Sequence, residues 1–93
     1  MRVTFAHDKK AKKPHYQVRH ADIGTAEFGE VFSKPVVVIG RHGAVLKAVG
    51  RTFKGRFLTV VFIRRGVADY HVITAWPSTR RQILLWDREI KRR

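Results

Sequence analysis

The chain has 93 residues, no cysteine and a formal net charge of +13, from 20 lysines and arginines against 7 acids. That length suits one small domain spanning residues 1–93, and the lack of cysteine removes disulfides and thiolate metal sites and agrees with a reducing, cytoplasmic location. A hydrophobic share of 44% separates it from a disordered basic tail, no secretory leader or membrane span is read, and the charge points to a polyanionic partner, nucleic acid first.

Val3 and Phe5 alternate at the start of the chain and suit a short edge strand, after which the sequence turns lysine-rich. Pro14 fits the first turn of a short helix, "PHYQVRH", because its missing N–H is unpaired there anyway. A second short helix follows in "DIGTAEFGEVFSKP": Thr25 can cap it, Phe28, Val31 and Phe32 share one face, and Pro35 ends it. Glu27 and Glu30 make the one acidic cluster, on a helix that otherwise reads as structural.

From Val36 the period changes from helix to strand. "VVVIG", "AVLKAVGRTF", "RFLTVVFIRR" and "DYHVITAW" are separated by glycine-containing turns of hairpin length, which predicts four antiparallel strands in series. "FLTVVFI" is apolar on both faces and reads as the central, doubly covered strand. Gly50 marks a bulge or a close approach. The last helix starts near Thr79, where Gln82 three residues on completes a capping-box pattern. Ile83, Trp86 and Ile90 then face the sheet, with Arg80, Arg81, Arg88 and Lys91 on a neighbouring stripe. The expected fold is therefore α+β: two short N-terminal helices, a four-stranded antiparallel β-meander and a C-terminal helix packed on the sheet.

The candidate chemistry is carried by cations. Arg80 and Arg81 stand where a helix dipole favours anions, so they oppose the dipole and form a plausible anion clamp with the free N–H groups of the first turn. Arg64 and Arg65 continue the alternation of their strand and face opposite sides, so one of them shares a face with His71 or Tyr70. Arg51, Lys54, Arg56 and Arg88 stand among aromatic residues, as RNA-binding cations do, and Trp76 is the aromatic expected to be partly exposed for base stacking. The five histidines, at 7, 15, 20, 42 and 71, show no metal-ligand spacing, so neither a metal nor another cofactor is expected. No P-loop, nucleophile elbow or dinucleotide fingerprint is present.

Several of these segments together resemble a known family. "RHADIGTAEFGEVFSKP", "GRTFKGRFLTVVFIRRG" and "YHVITAWPSTRRQ", with "FAHD" upstream, are similar in order and spacing to segments of the BrnT-type toxins, over about residues 5–88. The resemblance implies a RelE-like ribonuclease toxin of a type II toxin–antitoxin pair, cleaving mRNA without metal and neutralised by a cognate antitoxin. Residue by residue, His20 matches the family's histidine after the first helix, Arg64 or Arg65 its strand-end arginine, and Thr79 with Arg80 and Arg81 its helix start. The chain departs from the pattern at His71, where the family often has arginine, at Trp76, and at Gln82 and Ile83.

In RNA cleavage of this type the ribose 2′-OH attacks its own phosphate. Cations stabilise the added negative charge, and a neutral histidine can move the proton. The assignment is Arg80, Arg81 and one of Arg64 or Arg65 on the phosphate, with His71 as the base or acid and His20 as the alternative. Two other functions suit the same residues: a basic RNA- or nucleic-acid-binding module without catalysis, and a module that takes an acidic peptide.

Overall fold

The computed structural model describes residues 1–8, 13–18, 20 and 22–92, except for the side chains of Asp8, His15 and Val18. The lysine-rich run therefore lies mostly outside the described residues, as does the side chain of His15. In chain order the elements are β1 (Arg2–Phe5), β2 (His7–Asp8), β3 (Lys13–Pro14), a 3-10 turn (His15–Val18), α1 (Thr25–Phe32), β4 (Val37–His42), β5 (Val45–Arg51), β6 (Phe57–Gly66), β7 (Asp69–Pro77) and α2 (Arg80–Arg92).

The expected two N-terminal helices and four-stranded antiparallel meander are corrected on two counts. First, the sheet has five strands in the order β1-β7-β6-β5-β4 and is mixed, because β1 pairs parallel to β7, with Thr4 opposite His71 and Phe5 opposite Val72. Hairpin spacing reveals antiparallel neighbours only, so a partner from the far end of the chain is invisible to it. Second, the segment expected to form the first helix is not an α-helix. Pro14 sits in the two-residue ladder of β3 with β2, and His15–Val18 make a single 3-10 turn. An isolated α-turn this short is poorly nucleated. Its shape is set instead by Tyr16, 1% exposed and packed 4.7 Å from the Phe28 ring and 5.5 Å from the Phe5 ring.

The two faces of the sheet are covered unequally. Register and alternation put Leu58, Val60 and Phe62 of β6, Val72 and Ala75 of β7 and Ala48 of β5 on one face. There they join Phe28, Val31 and Phe32 of α1 in the main core. At Gly50 the helix comes so close that a Cβ would lie 2.4 Å from Val31 Cγ1, so this glycine marks a close approach. Gly24, not Thr25, is the N-cap of α1, and its N–H donates to the Glu27 carboxylate at 3.0 Å.

On the other face α2 crosses one end of the strands. Trp86 packs edge-on against Phe57 at 5.0 Å, and Val37, Val49 and Thr59 are buried on that side. No residue of α2 is itself fully buried. The helix is pinned by one side chain, since Gln82 Oε1 accepts hydrogen bonds from Thr59 Oγ1 (2.8 Å), the Thr79 N–H (2.9 Å) and Trp76 Nε1 (3.2 Å). The opposite end of this face carries Val45, Lys47, Val61, Ile63, His71 and Thr74, none of which is fully buried. Among the described residues, no helix lies over it.

Candidate nucleic-acid interface

The open half-face carries His71, with Arg65 near it, out of the expected catalytic residues. Ile63 of β6 stands opposite His71 of β7, and Arg65 is the extra residue of the bulge between Arg64 and Gly66, close enough for its charge to act on His71. Arg64 goes to the other side, where its guanidinium lies 6.0 Å from the Tyr70 ring and its Nε donates to the Gly66 carbonyl at 3.2 Å. The alternative between the two arginines is thus resolved by geometry in favour of Arg65.

His71 is positioned by β1, whose parallel pairing with β7 local spacing does not reveal. Its Nδ1 is 2.8 Å from Thr4 Oγ1 of β1, which fixes the ring. A hydroxyl both donates and accepts, so Thr4 serves either neutral tautomer and leaves Nε2 for a ligand. Burial lowers the His71 pKa below the ordinary imidazole value, and the nearby positive charges of Arg65 and His7 push the same way, with Asp69 opposing. The shift favours the neutral ring. His7, which the sequence singled out only as a poor metal ligand, enters this neighbourhood through the parallel β1–β7 pairing, and its Nδ1 is tied to the Phe5 carbonyl at 2.9 Å.

Lys47 extends the cationic floor of the half-face, beside a surface cleft of ≈ 310 Å³ lined by Gly40, Arg41, His42, Val45, Lys47 and Val61. The near rim is α2. Arg88 and Arg92 line a second cleft with Leu85 and Val37–Ile39, and Arg81 falls on the same helical line four residues before Leu85.

Other expected site residues lie elsewhere. His20 belongs to the α1 side, beside Asp22 and Arg56. Arg56 is engaged in ion pairs with Asp22 and Glu27, and that contact holds the Asp22 carboxyl below its ordinary pKa. Glu27 and Glu30 thus serve the β5–β6 hairpin, Glu30 by accepting the Phe53 N–H at 2.9 Å. Trp76 is half-buried with its indole N–H bound to Gln82, so it braces α2. Arg51 lies 5.2 Å from the Phe57 ring with its Nε on the Gly55 carbonyl, and Lys54 is exposed at the hairpin tip.

Arg80 and Arg81 are exposed at the start of α2, where Thr79 and Gln82 form the reciprocal cap: the Gln82 N–H donates to Thr79 Oγ1 at 3.3 Å. They stand past the C-terminal end of β7, whereas His71 is near its start. The six residue steps from His71 to Pro77 span about 20 Å at about 3.3 Å each. The two arginines and His71 therefore cannot hold one phosphate together.

Among the described residues, no group of three or more histidines and acids is placed to hold a metal ion, and no helix is long and apolar enough to cross a membrane. Comparison with protein-family models, curated proteins and solved structures finds no match to this chain.

Proposed function

We propose that this protein is a metal-independent endoribonuclease of the toxin type, cleaving mRNA in the cytoplasm on the open half of its sheet and neutralised by a cognate antitoxin. The observation that carries the reading is the placement of His71 on the open half of the sheet, with the imidazole oriented by Thr4, biased to its neutral form and near the charge of the bulge residue Arg65. The segmental resemblance to BrnT-type toxins supplies the reaction class.

In the reaction, His71 Nε2 takes the proton of the ribose 2′-OH as the 2′ oxygen bonds to phosphorus. The charge that builds on the non-bridging oxygens meets the Arg65 guanidinium. The bond from phosphorus to the 5′ oxygen breaks, and that oxygen leaves with a proton from an imidazolium. His7 is the second imidazole of the neighbourhood. The products are a 2′,3′-cyclic phosphate and a free 5′-OH. Arg80 and Arg81 act at a distance, holding phosphates several nucleotides along the strand.

A second reading, a basic RNA-binding module without catalysis, is favoured by that same separation, because the cations are spread along the sheet instead of being concentrated at one phosphate. One experiment distinguishes the two. Purified protein is incubated with single-stranded RNA in excess chelator, and the product ends are identified. Cleavage to cyclic phosphate ends, reduced about 10²- to 10⁴-fold by His71→Ala and about 10²- to 10³-fold by Arg65→Ala, supports the ribonuclease. Salt-sensitive binding with no cleavage selects the binding module, and the absence of RNA binding rejects both.

A further inference from the structure

The tip of the β5–β6 hairpin carries a large side chain that neither the core nor the proposed cleavage site uses. Thr52, 1% exposed, anchors the turn. Its N–H donates to the Arg56 carbonyl (2.8 Å), its Oγ1 accepts the Arg56 N–H (3.0 Å), and its carbonyl accepts the Gly55 N–H (2.9 Å). Gly55 has φ +88°, the left-handed conformation that completes a tight turn with a bulge. Phe53 and Lys54 occupy the two corners, and the Glu30 carboxylate on the Phe53 N–H braces the turn from α1.

The Phe53 ring is held by this frame with 64% of the residue exposed. Turn corners are usually polar, and an apolar ring kept in water contributes little to folding. Its surroundings are cationic. Lys34 Nζ lies 5.2 Å from the ring centroid, Lys54 is adjacent in the turn, and Arg51 is tied to Gly55. A cleft of ≈ 330 Å³ opens beside them, lined by Lys34, Pro35, Arg51, Trp86 and Ile90. Glu30, which accepts the Phe53 N–H, and Glu27, which is paired with Arg56, lie on the α1 side of the turn. A rigid aromatic face ringed by cations suits a planar base with phosphates on either side, whereas an acidic peptide would use the cations and leave the ring unmatched.

We propose that Phe53 is a stacking platform for one unpaired base of single-stranded RNA, with Lys34, Lys54 and Arg51 on the flanking phosphates. This rests on the RNA reading above and adds a second subsite to it. The two lie toward opposite ends of β6: Phe57 to Arg65 alone spans about 26 Å, and an RNA strand joining them passes round α2, which packs over Phe57. At least about eight nucleotides stacked at about 3.4 Å each are needed to reach from one subsite to the other.

The test uses the full chain and an eight-nucleotide 2′-O-methyl oligoribonucleotide, which lacks the attacking hydroxyl and stays intact. Binding is read by fluorescence anisotropy at fixed salt. Phe53→Ala should weaken binding about 5- to 150-fold, the range seen for loss of one stacked base, with an unchanged melting temperature, and Phe53→Trp should bind at least as tightly as the wild type. Moving an abasic residue along the oligonucleotide should find one position that costs the wild type the same factor and costs the Phe53→Ala variant nothing. Equal affinity of wild type and Phe53→Ala, with RNA still bound, overturns this inference alone. Loss of polyglutamate binding in Phe53→Ala, with RNA affinity intact, gives the patch to acidic protein and also overturns it. No RNA binding by the wild type overturns the proposed function as well.

Discussion

Replacing Arg80 and Arg81 together with alanine separates binding from stability, because the two roles predict opposite changes. The capping of α2 belongs to Thr79 and Gln82, and among the described residues neither arginine makes an ion pair. Each cation in the first turn opposes the helix dipole by about 0.3–1 kcal/mol at low salt. Both side chains are exposed, so screening holds the pair to the low end, roughly 0.5 kcal/mol in all. For a domain of this size, about 4–8 °C per kcal/mol turns that into a rise in melting temperature of about 2–4 °C. If the two arginines neutralise two phosphates of a single strand, the slope of log affinity against log salt should become shallower by about 1.4, at about 0.7 per phosphate. Calorimetry gives the first number, and anisotropy titrations between 50 and 200 mM salt, on the order of the usual range, give the second. A double variant that melts lower and keeps the wild-type salt slope would show that the arginines serve the fold, and the anion-clamp argument would be wrong.

Two further predictions concern His71 and Gly50. With a lowered pKa and a base role for His71, the rising limb of kcat/KM for RNA cleavage should lie below the ordinary imidazole value of about 6.5, and the rate should fall again at higher pH as the imidazolium acid is lost; a rate that begins to rise only above neutrality would remove His71 from the role. The same shift means that the folded state binds fewer protons than the unfolded one, so stability should climb with pH from the folded pKa to about 6.5 and then flatten, and His71→Asn should remove that climb from the melting curve. Gly50→Ala places a Cβ against Val31 Cγ1 and, at 3.1 Å, Val36 Cγ1, which should cost about 1–3 kcal/mol and lower the melting temperature by at least about 4 °C. Val31→Ala in the same chain should recover part of that loss, and a simple sum of the two effects would mean that α1 does not press on β5 at this point.

What the sequence made legible was local. The turns at Gly43 and Gly55 are both left-handed glycines where hairpins were read, and the Thr79–Gln82 cap is present in both directions. What it hid was non-local. The parallel seat of β1 on β7 depends on residues some seventy positions apart, and no turn chemistry connects them. That one pairing places Thr4 on His71 and brings His7 near, so the most informative part of the candidate site was the least readable. Arg56 shows the converse. Its aromatic neighbour suggested RNA, but Asp22 and Glu27, which take up its charge, are distant in sequence. Phe53 was visible as an aromatic between Arg51 and Lys54, yet only the buried Thr52 and the Glu30 brace distinguish a presented ring from a core one.

The placement of six of the seven acids, all but Asp8, explains why the open half of the sheet is so basic. Asp22 and Glu27 neutralise Arg56, and Glu30 holds the hairpin, all on the α1 side. Asp87 and Glu89 pair along α2 with Lys91 and Arg92. These five acids stabilise the helices and the turn, away from Lys47 and Arg65. Asp69 alone among the described acids acts on His71, and it does so against the stronger effects of burial and Arg65. The net charge is thus distributed with a direction: it is compensated where elements must pack and left uncompensated on the half-face that no described helix covers, at the start of α2 and at the hairpin tip around Phe53. A cation there costs little in self-repulsion while it faces water, and it gains most when a polyanion displaces that water. This arrangement makes the binding of a nucleic acid strand, more than the folding of the chain, the process that the excess of cations serves.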